Sequence, residues 1–378
     1  MTYRIEEVRS RTDLMDFIRF PEWLYRDCPH YVPALRSDQI HALTKAAPLA
    51  YCTRKMWLVR NERKEVVGRI CAIVNPRYNA LYGKKRARFG WFDTIEDFSV
   101  ARLLLETAER WAKEQGMDEI HGPLFYNTLG KQGLLVEGFD RMPAFNTLYN
   151  YPYYQTFIER LGYEKEFDWL ENKFAFPTAL PEKVQRVAAR LMERYELREA
   201  DIDVLKKDKA RVHDFFQTYS SGFYHNVPNF IPFTDEEIEE EARSVLPYVS
   251  NRLSSILVDK NGNVAAFAIN FPDLSPALRK CRGRLFPFGW LHLLRAVRRP
   301  PEILDLILTG AAPEWQNTGI TAVLHKILWD KTKSAGTEWA RTNPQAENNP
   351  AVHIWRAYGT TLYMRRRCYL KSLEEVVR

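Results

Sequence analysis

The stretch with the clearest chemical possibilities is Gly310-Ala-Ala-Pro-Glu-Trp-Gln-Asn-Thr-Gly-Ile-Thr321, which joins a predicted strand, EILDLILT, to a predicted amphipathic helix. At such a turn, small and polar residues leave the first helical N–H groups free, and the helix dipole favours an anion in front of them. Gln316-x-x-Gly319-x-Thr321 has the form of a phosphate-holding loop, with Asn317, Thr318 and Ile320 completing its backbone. A plain helix cap has the same form. Other chemistries lack their residues: there is no G-x-S-x-G elbow, no G-x-x-x-x-G-K-[ST] loop, no H-E-x-x-H and no G-x-G-x-x-G after a strand. The eight histidines are scattered without metal-ligand spacing. Hydrolase, NTPase, zinc-enzyme and dinucleotide readings are therefore set aside.

The elements that must position this loop occur twice, about 200 residues apart, as an order of elements and not as sequence identity. Each copy opens with two strands and a turn, MWLVRNERKEVVGRICAIVN in the first and SSILVDKNGNVAAFAINF in the second. Asn261-Gly262-Asn263 is a hairpin signal. A strand feeding a helix follows. Val100, Leu103, Leu104, Thr107, Ala108 and Trp111 fall at helical spacing in the first copy, with Gly116 as the stop. Ile320, Val323, Leu324, Ile327 and Leu328 do so in the second, with Gly336 as the stop. Each copy ends in an aromatic helix, a glycine and a last strand. This order predicts an α/β fold with a mixed, mainly antiparallel sheet and a strand–helix–strand crossover. FPTALPEK reads as a linker between domains over 1–178 and 184–378, and a helix from about Pro181 to Tyr195 opens the second. Thr234-Asp-Glu-Glu237 is a capping box, and the helix dipole with solvation accounts for DEEIEEE without a metal.

The length of 378 residues agrees with two domains, and 46% hydrophobic with 27% charged residues agrees with packed globular cores. No run of eighteen apolar residues occurs, and MTYRIEEVRSRTD lacks an apolar signal region, so the expected location is the cytoplasm. Five cysteines without a C-x-x-C pair predict thiols. The net charge of +7 has an address: between Asp273 and Glu302 lie Arg279, Lys280, Arg282, Arg284, Arg295, Arg298 and Arg299 and no acid. Within that stretch Trp290, Leu291, Leu294 and Val297 make one helical face, and His292, Arg295 and Arg299 the other. Such a helix suits the anionic inner face of a membrane, here through residues 284–299; a core helix with solvated arginines has the same pattern. A coenzyme phosphate is a third anionic partner. No helix-turn-helix, zinc finger or RNA-binding signature accompanies the charge, so nucleic acid is not expected.

The element order with its Gln316 loop resembles the GCN5-related N-acetyltransferase (GNAT) superfamily, whose pyrophosphate loop for coenzyme A reads R/Q-x-x-G-x-G/A. Gln316 and Gly319 match, and Thr321 departs from the last position. The resemblance implies two tandem GNAT-like acyl-CoA N-acyltransferase domains, with acyl-CoA as thioester substrate and no metal. It also implies pantetheine contacts from the strand residues Leu308, Thr309, Gly310 and Ala311. A further pattern, N-x-x-A-x-x-L-Y-x-x-x-G-F, aligns with Asn348, Ala351, Ile354, Trp355 and Gly359, placing Trp355 where the proton-donating tyrosine is usual. In the first copy DTIEDFSVAR stands in place of the loop, and Asp93, Glu96 and Asp97 would repel a pyrophosphate. That domain reads as degenerate.

The segments FPEWLYRDCPHYVPALRSD, VGRICAIVN, GLLVEGFD, YNYPYYQTFIERLGY, NFIPFT, PDLSPAL and GRLFPFGWLHLLRAVRR resemble a family of bacterial tandem GNAT-like proteins that includes bacterial ceramide synthases. This resemblance implies transfer of a fatty acyl group from acyl-CoA or an acyl carrier protein to the amine of a long-chain, sphingoid-type base. A small amine, or acyl-CoA and lipid binding without catalysis, is the alternative. Amide formation needs a base for the ammonium and a donor toward the leaving thiolate. The candidates are Asp273 at a strand end, Glu347 at a helix start, His225 in an aromatic loop, and Tyr358, with Tyr363 nearby, as the acid. Each has a plainer reading as a turn former, a helix-start carboxylate, a structural histidine or a core aromatic.

Overall fold

The computed structural model describes residues 2–223, 227–349 and 358–374. Two compact units divide the chain: Met1–Leu170, Ser275–His292 and Met364–Arg378 form the first, and Glu171–Leu274 with Leu293–Tyr363 the second. The sequence suggests a single cut at residues 178–184, whereas both units are discontinuous.

The first unit holds β1 (Arg4–Glu7), α1 (Arg11–Leu24), α2 (Arg36–Thr44), β2 (Thr53–Arg60), β3 (Val66–Val74), α3 (Pro76–Tyr82) and β4 (Arg86–Thr94). It continues with α4 (Phe98–Glu114), β5 (Glu119–Gly122), β6 (Leu134–Glu137), α5 (Tyr153–Arg160) and the start of β7 (Glu164–Ala175). β2, β3 and β4 are antiparallel neighbours, and β4 runs parallel to β5 across the α4 crossover. Val100, Ala101, Leu104, Leu105, Ala108 and Trp111 of α4 are buried with Trp57, Ile70, Ala72 and Phe89 of the sheet. The helix sits so close that a Cβ on Gly68 would stand 2.8 Å from both Val100 Cγ1 and Leu104 Cδ1. Phe17 and Ile18 of α1 form a second cluster with Cys71, Ile73 and Trp91. Beside β5 the sheet continues with Tyr369–Ser372, paired antiparallel to it.

Next in chain order are α6 (Glu182–Arg194), β8 (Arg198–Glu199), α7 (Ile202–Leu205), α8 (Lys209–Phe223), α9 (Asp235–Val245), β9 (Ser255–Val258) and β10 (Val264–Pro272), all in the second unit. α10 (Ser275–Cys281) and the first residues of α11 (Gly289–Arg298) return to the first unit. β11 (Ile303–Ala311), α12 (Thr321–Ala335), β12 (Trp339–Thr342), β13 (Gln345–Ala346) and the start of β14 (Thr361–Ser372) complete the second. β9, β10 and β11 are antiparallel, β11 and β12 parallel, so the pairing repeats that of the first unit. Val323 and Leu324 of α12 are buried with Ala188 of α6 and Leu257, Ala266 and Ala268 of the sheet. Lys173–Ala175 of β7 pair antiparallel with β12. The mixed α/β fold expected from the element order is thus present, and all five cysteines are buried and free. Among the described residues no helix is long and apolar enough to cross a membrane.

Each sheet therefore takes a flanking strand from outside its own repeat. A fragment of residues 1–178 leaves β5 without Tyr369–Ser372, exposing an unpaired edge and the Tyr369 contacts of the core. We expect that fragment to aggregate or to unfold without a cooperative transition, as read by light scattering and urea titration. A cooperative, monomeric fragment of full native stability would contradict this division.

Candidate functional site

β11 pairs with β10 as far as Ala311 but with β12 only along Ile303–Leu306. Beyond Leu306 no strand among the described residues borders that edge, so the parallel pair parts and Thr309, Gly310 and Ala311 lie on an open margin. From there a turn of 3-10 helix, Pro313–Trp315, leads into the loop. Gln316 extends its Nε2 back to donate to Ala311 O at 3.3 Å and Gly222 O at 3.2 Å, tying the loop to the strand end and to α8. Asn317 at φ +61° and Gly319 at φ +87° adopt left-handed backbone, which turns successive amides to one side. No side chain caps α12. The amides of Asn317, Gly319, Ile320 and Thr321 have no protein acceptor among the described residues. Thr318 spends its hydroxyl on Trp315 O at 2.6 Å. The result is a concave row of N–H groups at a positive helix end, suited to a phosphate. In the first unit the corresponding end is closed: Asp97 caps α4 by accepting from Ser99 N at 2.8 Å and also takes the Tyr3 hydroxyl at 2.8 Å.

An aromatic wall stands beside the open strand. A Cβ on Gly310 would lie 2.6 Å from Phe223 Cε2 and 2.9 Å from Phe267 Cζ, so glycine is what lets these rings close on the backbone. Tyr219 packs on Phe223 with centroids 4.7 Å apart. Beyond Tyr219 lies α9. Its capping box of Thr234 and Glu237 forms as the sequence predicts, but the acidic run is not a uniformly solvated face. Glu241 is half-buried, and burial, with Glu240 second, pushes its carboxyl up to about 7. The reason is spacing: Glu241 follows the buried Ile238 by one helical turn and shares its inward side. That spacing was the available signal. His325 lies one turn into α12, with no local sequence signal to mark it. Its Nδ1 is 2.8 Å from the Tyr358 hydroxyl, burial lowers its pKa to about 4, and burial raises that of Tyr358.

With this geometry in view, comparison with known proteins becomes specific. No family model matches the chain. Over 384 residues it is 28% identical to Protein YghO of Escherichia coli (strain K12), covering 96% of this chain and 94% of that protein. It is 25% identical over 375 residues to Bacterial ceramide synthase of Caulobacter vibrioides (strain NA1000 / CB15N), covering 97% and 96% of the two chains. A tandem GNAT protein from the clavulanic acid biosynthesis pathway superposes over 99% of both chains with a TM-score of 0.57 at 13% identity. The fold is a tandem GNAT. A GCN5-related N-acetyltransferase from Sphaerobacter thermophilus, at a TM-score of 0.50 and 10% identity, covers 98% of this chain and 96% of its own. Both resemblances read from the sequence are borne out at the level of fold and relatives.

The remaining candidates on the GNAT scaffold separate. Glu347 and Asn348 lie exposed in a turn after β13, not in the first turn of a described helix. His225, Ala351, Ile354 and Trp355 fall outside the described residues. Asp273 directly follows β10, with its amide on Ile303 O at 3.0 Å, and its carboxylate accepts from Arg341 Nη2 at 3.1 Å. Arg341 also grips Asp305 in a two-pronged pair, Nε to Oδ1 at 2.8 Å and Nη2 to Oδ2 at 2.9 Å. Tyr363 places its ring 5.4 Å from the same guanidinium. Burial alone would lower the Arg341 pKa, but Asp305 and Asp273 beside it hold it above its ordinary value.

Asp273 spends its carboxylate on the buried Arg341 guanidinium, so it serves the sheet before it serves chemistry. Arg341→Met should cost about 3–5 kcal/mol because it leaves two carboxylates facing a buried gap. Urea unfolding measures this, and a loss below about 1 kcal/mol would show that the cluster contributes little.

Proposed function

We propose that the chain is an acyl-thioester-dependent N-acyltransferase that moves a fatty acyl group from acyl-CoA to the amine of a long-chain, sphingoid-type base. The observation that carries this reading is the row of unpartnered amides at Gly319, Ile320 and Thr321, in front of an uncapped helix and just past the parted strand. These residues, with Gln316, Asn317 and Thr318 shaping the turn, suit the pyrophosphate of coenzyme A. The open margin of Thr309, Gly310 and Ala311 suits the pantetheine arm, and the Phe223–Phe267 wall favours an apolar acyl group. The relative named Bacterial ceramide synthase supports a long-chain amine as acceptor.

In the reaction the amine nitrogen forms the new bond to the thioester carbon, the carbon–sulfur bond breaks, and coenzyme A leaves as the thiol. Glu241, lifted toward neutrality by burial, suits removal of the ammonium proton. Tyr358, held by His325, suits a hydrogen bond to the departing sulfur.

Purified protein incubated with palmitoyl-CoA and a sphingoid base should release thiol and form the amide, read by thiol assay and mass spectrometry. Gly319→Asp, which crowds a positive-φ position and adds a charge against the phosphate, should cut kcat/KM by at least about 100-fold. For a base, the rate rises as pH climbs through its pKa, so kcat/KM should show an acid limb near 7 that Glu241→Gln lowers and flattens. Turnover only with short acyl donors and small amines would favour the small-amine alternative. Binding without turnover would favour a non-catalytic lipid-binding protein.

A second observation bears on where this happens. None of the residues of α11 is buried, against the expectation for a core helix. Phe286, Phe288 and Trp290 are 78%, 69% and 43% exposed, while Arg279, Lys280, Arg282, Arg284, Arg295, Arg298 and Arg299 are all exposed. Adjacent exposed aromatics among uncompensated cations suit peripheral binding to an anionic lipid surface. Sedimentation with vesicles containing 30% anionic phospholipid should pull the protein down, neutral vesicles should not, and replacing Phe286, Phe288 and Trp290 with serine should abolish the effect. Equal binding to neutral vesicles, or no loss in the triple variant, would exclude this role for the segment.

A further inference from the structure

α6 packs along the Gln316 turn. Ala188 of α6 is buried with Ile320 at the start of α12 and with Val323 and Leu324 inside it. A Cβ on Gly319 would stand 3.6 Å from Val187 Cγ1 and 3.8 Å from Leu191 Cδ1, so these two residues border the turn itself. Past the end of the helix, Tyr195 sets its ring edge-on to Trp315 with centroids 5.1 Å apart, and Trp315 directly precedes Gln316. The helix is therefore held against the turn at two points.

The outer side of α6 is cationic. Lys183, Arg186, Arg190 and Arg194 follow at steps of three, four and four, which on a helix advancing about 100° per residue gathers them in one strip beside Val187. All four are exposed, and none forms an ion pair among the described residues. Arg194 keeps its guanidinium 5.2 Å from the Tyr195 ring. The two acids of the helix, Glu182 and Glu193, fall on the edge of the strip away from Val187.

Length decides what this strip can hold. From Lys183 to Arg194 it runs about 16 Å at 1.5 Å per residue. A single nucleotide phosphate engages one or two cations, so it leaves most of the strip unused. A lipid surface favours apolar side chains inserted beside the cations, whereas the exposed uncharged residues of α6 are Gln185 and Ala189. A row of cations without such anchors suits an acidic protein helix laid along it.

We propose that α6 is the docking face for an acidic acyl carrier protein that delivers the acyl thioester on a phosphopantetheine arm, with Arg186 and Arg190 at the centre of the contact. This deepens the acyl-transfer reading and rests on it. A carrier-borne arm has one phosphate, esterified to the carrier itself, so when the turn holds that phosphate the carrier lies against whatever flanks the turn. α6 flanks it through Val187 and Leu191. Coenzyme A enters the same turn without needing the strip.

Transfer to a sphingoid base is measured on the full chain with palmitoyl-CoA and with palmitoyl acyl carrier protein as donors, and binding of the carrier protein without its arm is measured by calorimetry. Arg186→Glu together with Arg190→Glu should cut kcat/KM for the carrier donor at least about 30-fold and weaken binding of the arm-less carrier at least about tenfold. The same variant should change kcat/KM for palmitoyl-CoA less than about threefold, because a screened surface charge acts only weakly on the turn. Equal loss with both donors would give the strip to the coenzyme nucleotide. Loss of sedimentation with anionic vesicles at undiminished carrier binding would give it to a lipid surface. Either result overturns the proposal, as does failure of the arm-less carrier to bind the wild-type chain. Carrier binding that the double variant loses, without turnover of either donor, would sink the acyl-transfer reading and leave the docking face standing. Where the charge reversal lowers the unfolding midpoint, Arg186→Gln with Arg190→Gln takes its place, and the same directions are expected.

Discussion

Everything at the candidate site depends on two parallel strands that stop pairing. A strand has hydrogen-bonding groups on both edges, and leaving one edge bare is costly unless something else occupies it. β11 loses β12 after Leu306 while β10 keeps its other edge in register to Ala311. The margin is therefore rigid on one side and open on the other, which is what a ligand with an extended, amide-bearing arm requires. Gln316 secures the geometry without occupying the opening, since its side chain reaches back to Ala311 and Gly222 while the amides of Asn317, Gly319, Ile320 and Thr321 have no acceptor among the described residues.

The same constraint, applied twice, has two outcomes in one chain. In the second unit the helix after the open strand has no side-chain cap at its positive end. In the first unit Asp97 supplies the negative charge from within, and the stacked Trp91 and Phe125 fill much of the opening. The reading of that unit as degenerate concerns this helix end alone, where Asp97 stands.

How much of this was legible in the sequence follows from the range of each interaction. Local signals read well: the Gln316 to Thr321 turn, the Thr234 and Glu237 capping box and α6 depend on neighbours within one helical turn. The repeat read well because crossover and hairpin spacing survive when identity does not. Long-range pairings were hidden. Asp273 looks like a free strand-end carboxylate until Arg341, 68 residues on, arrives beside it. Glu241 looks like one of a solvated row until α8 covers its side of α9, and nothing local marks His325 as the partner of Tyr358. The exchange of last strands was equally invisible, since Tyr369–Ser372 pair with β5 across most of the chain.

On the proposed acyl transfer, the pairing of Tyr358 with His325 limits the help that a leaving thiolate would receive from that hydroxyl. An ordinary thiol has a pKa of about 8.5 and a phenol about 10, and burial moves Tyr358 further up. Full proton transfer from that phenol to a thiolate is therefore uphill, so the group that fits these values is a hydrogen-bond donor that stabilises charge without surrendering its proton. The neighbouring imidazole, lowered to about 4, stays neutral near pH 7 and does not add a second proton source. Its contribution is directional. It ties the hydroxyl of Tyr358 to the helix that begins at the Gln316 turn, so hydroxyl and turn are held by one element, α12.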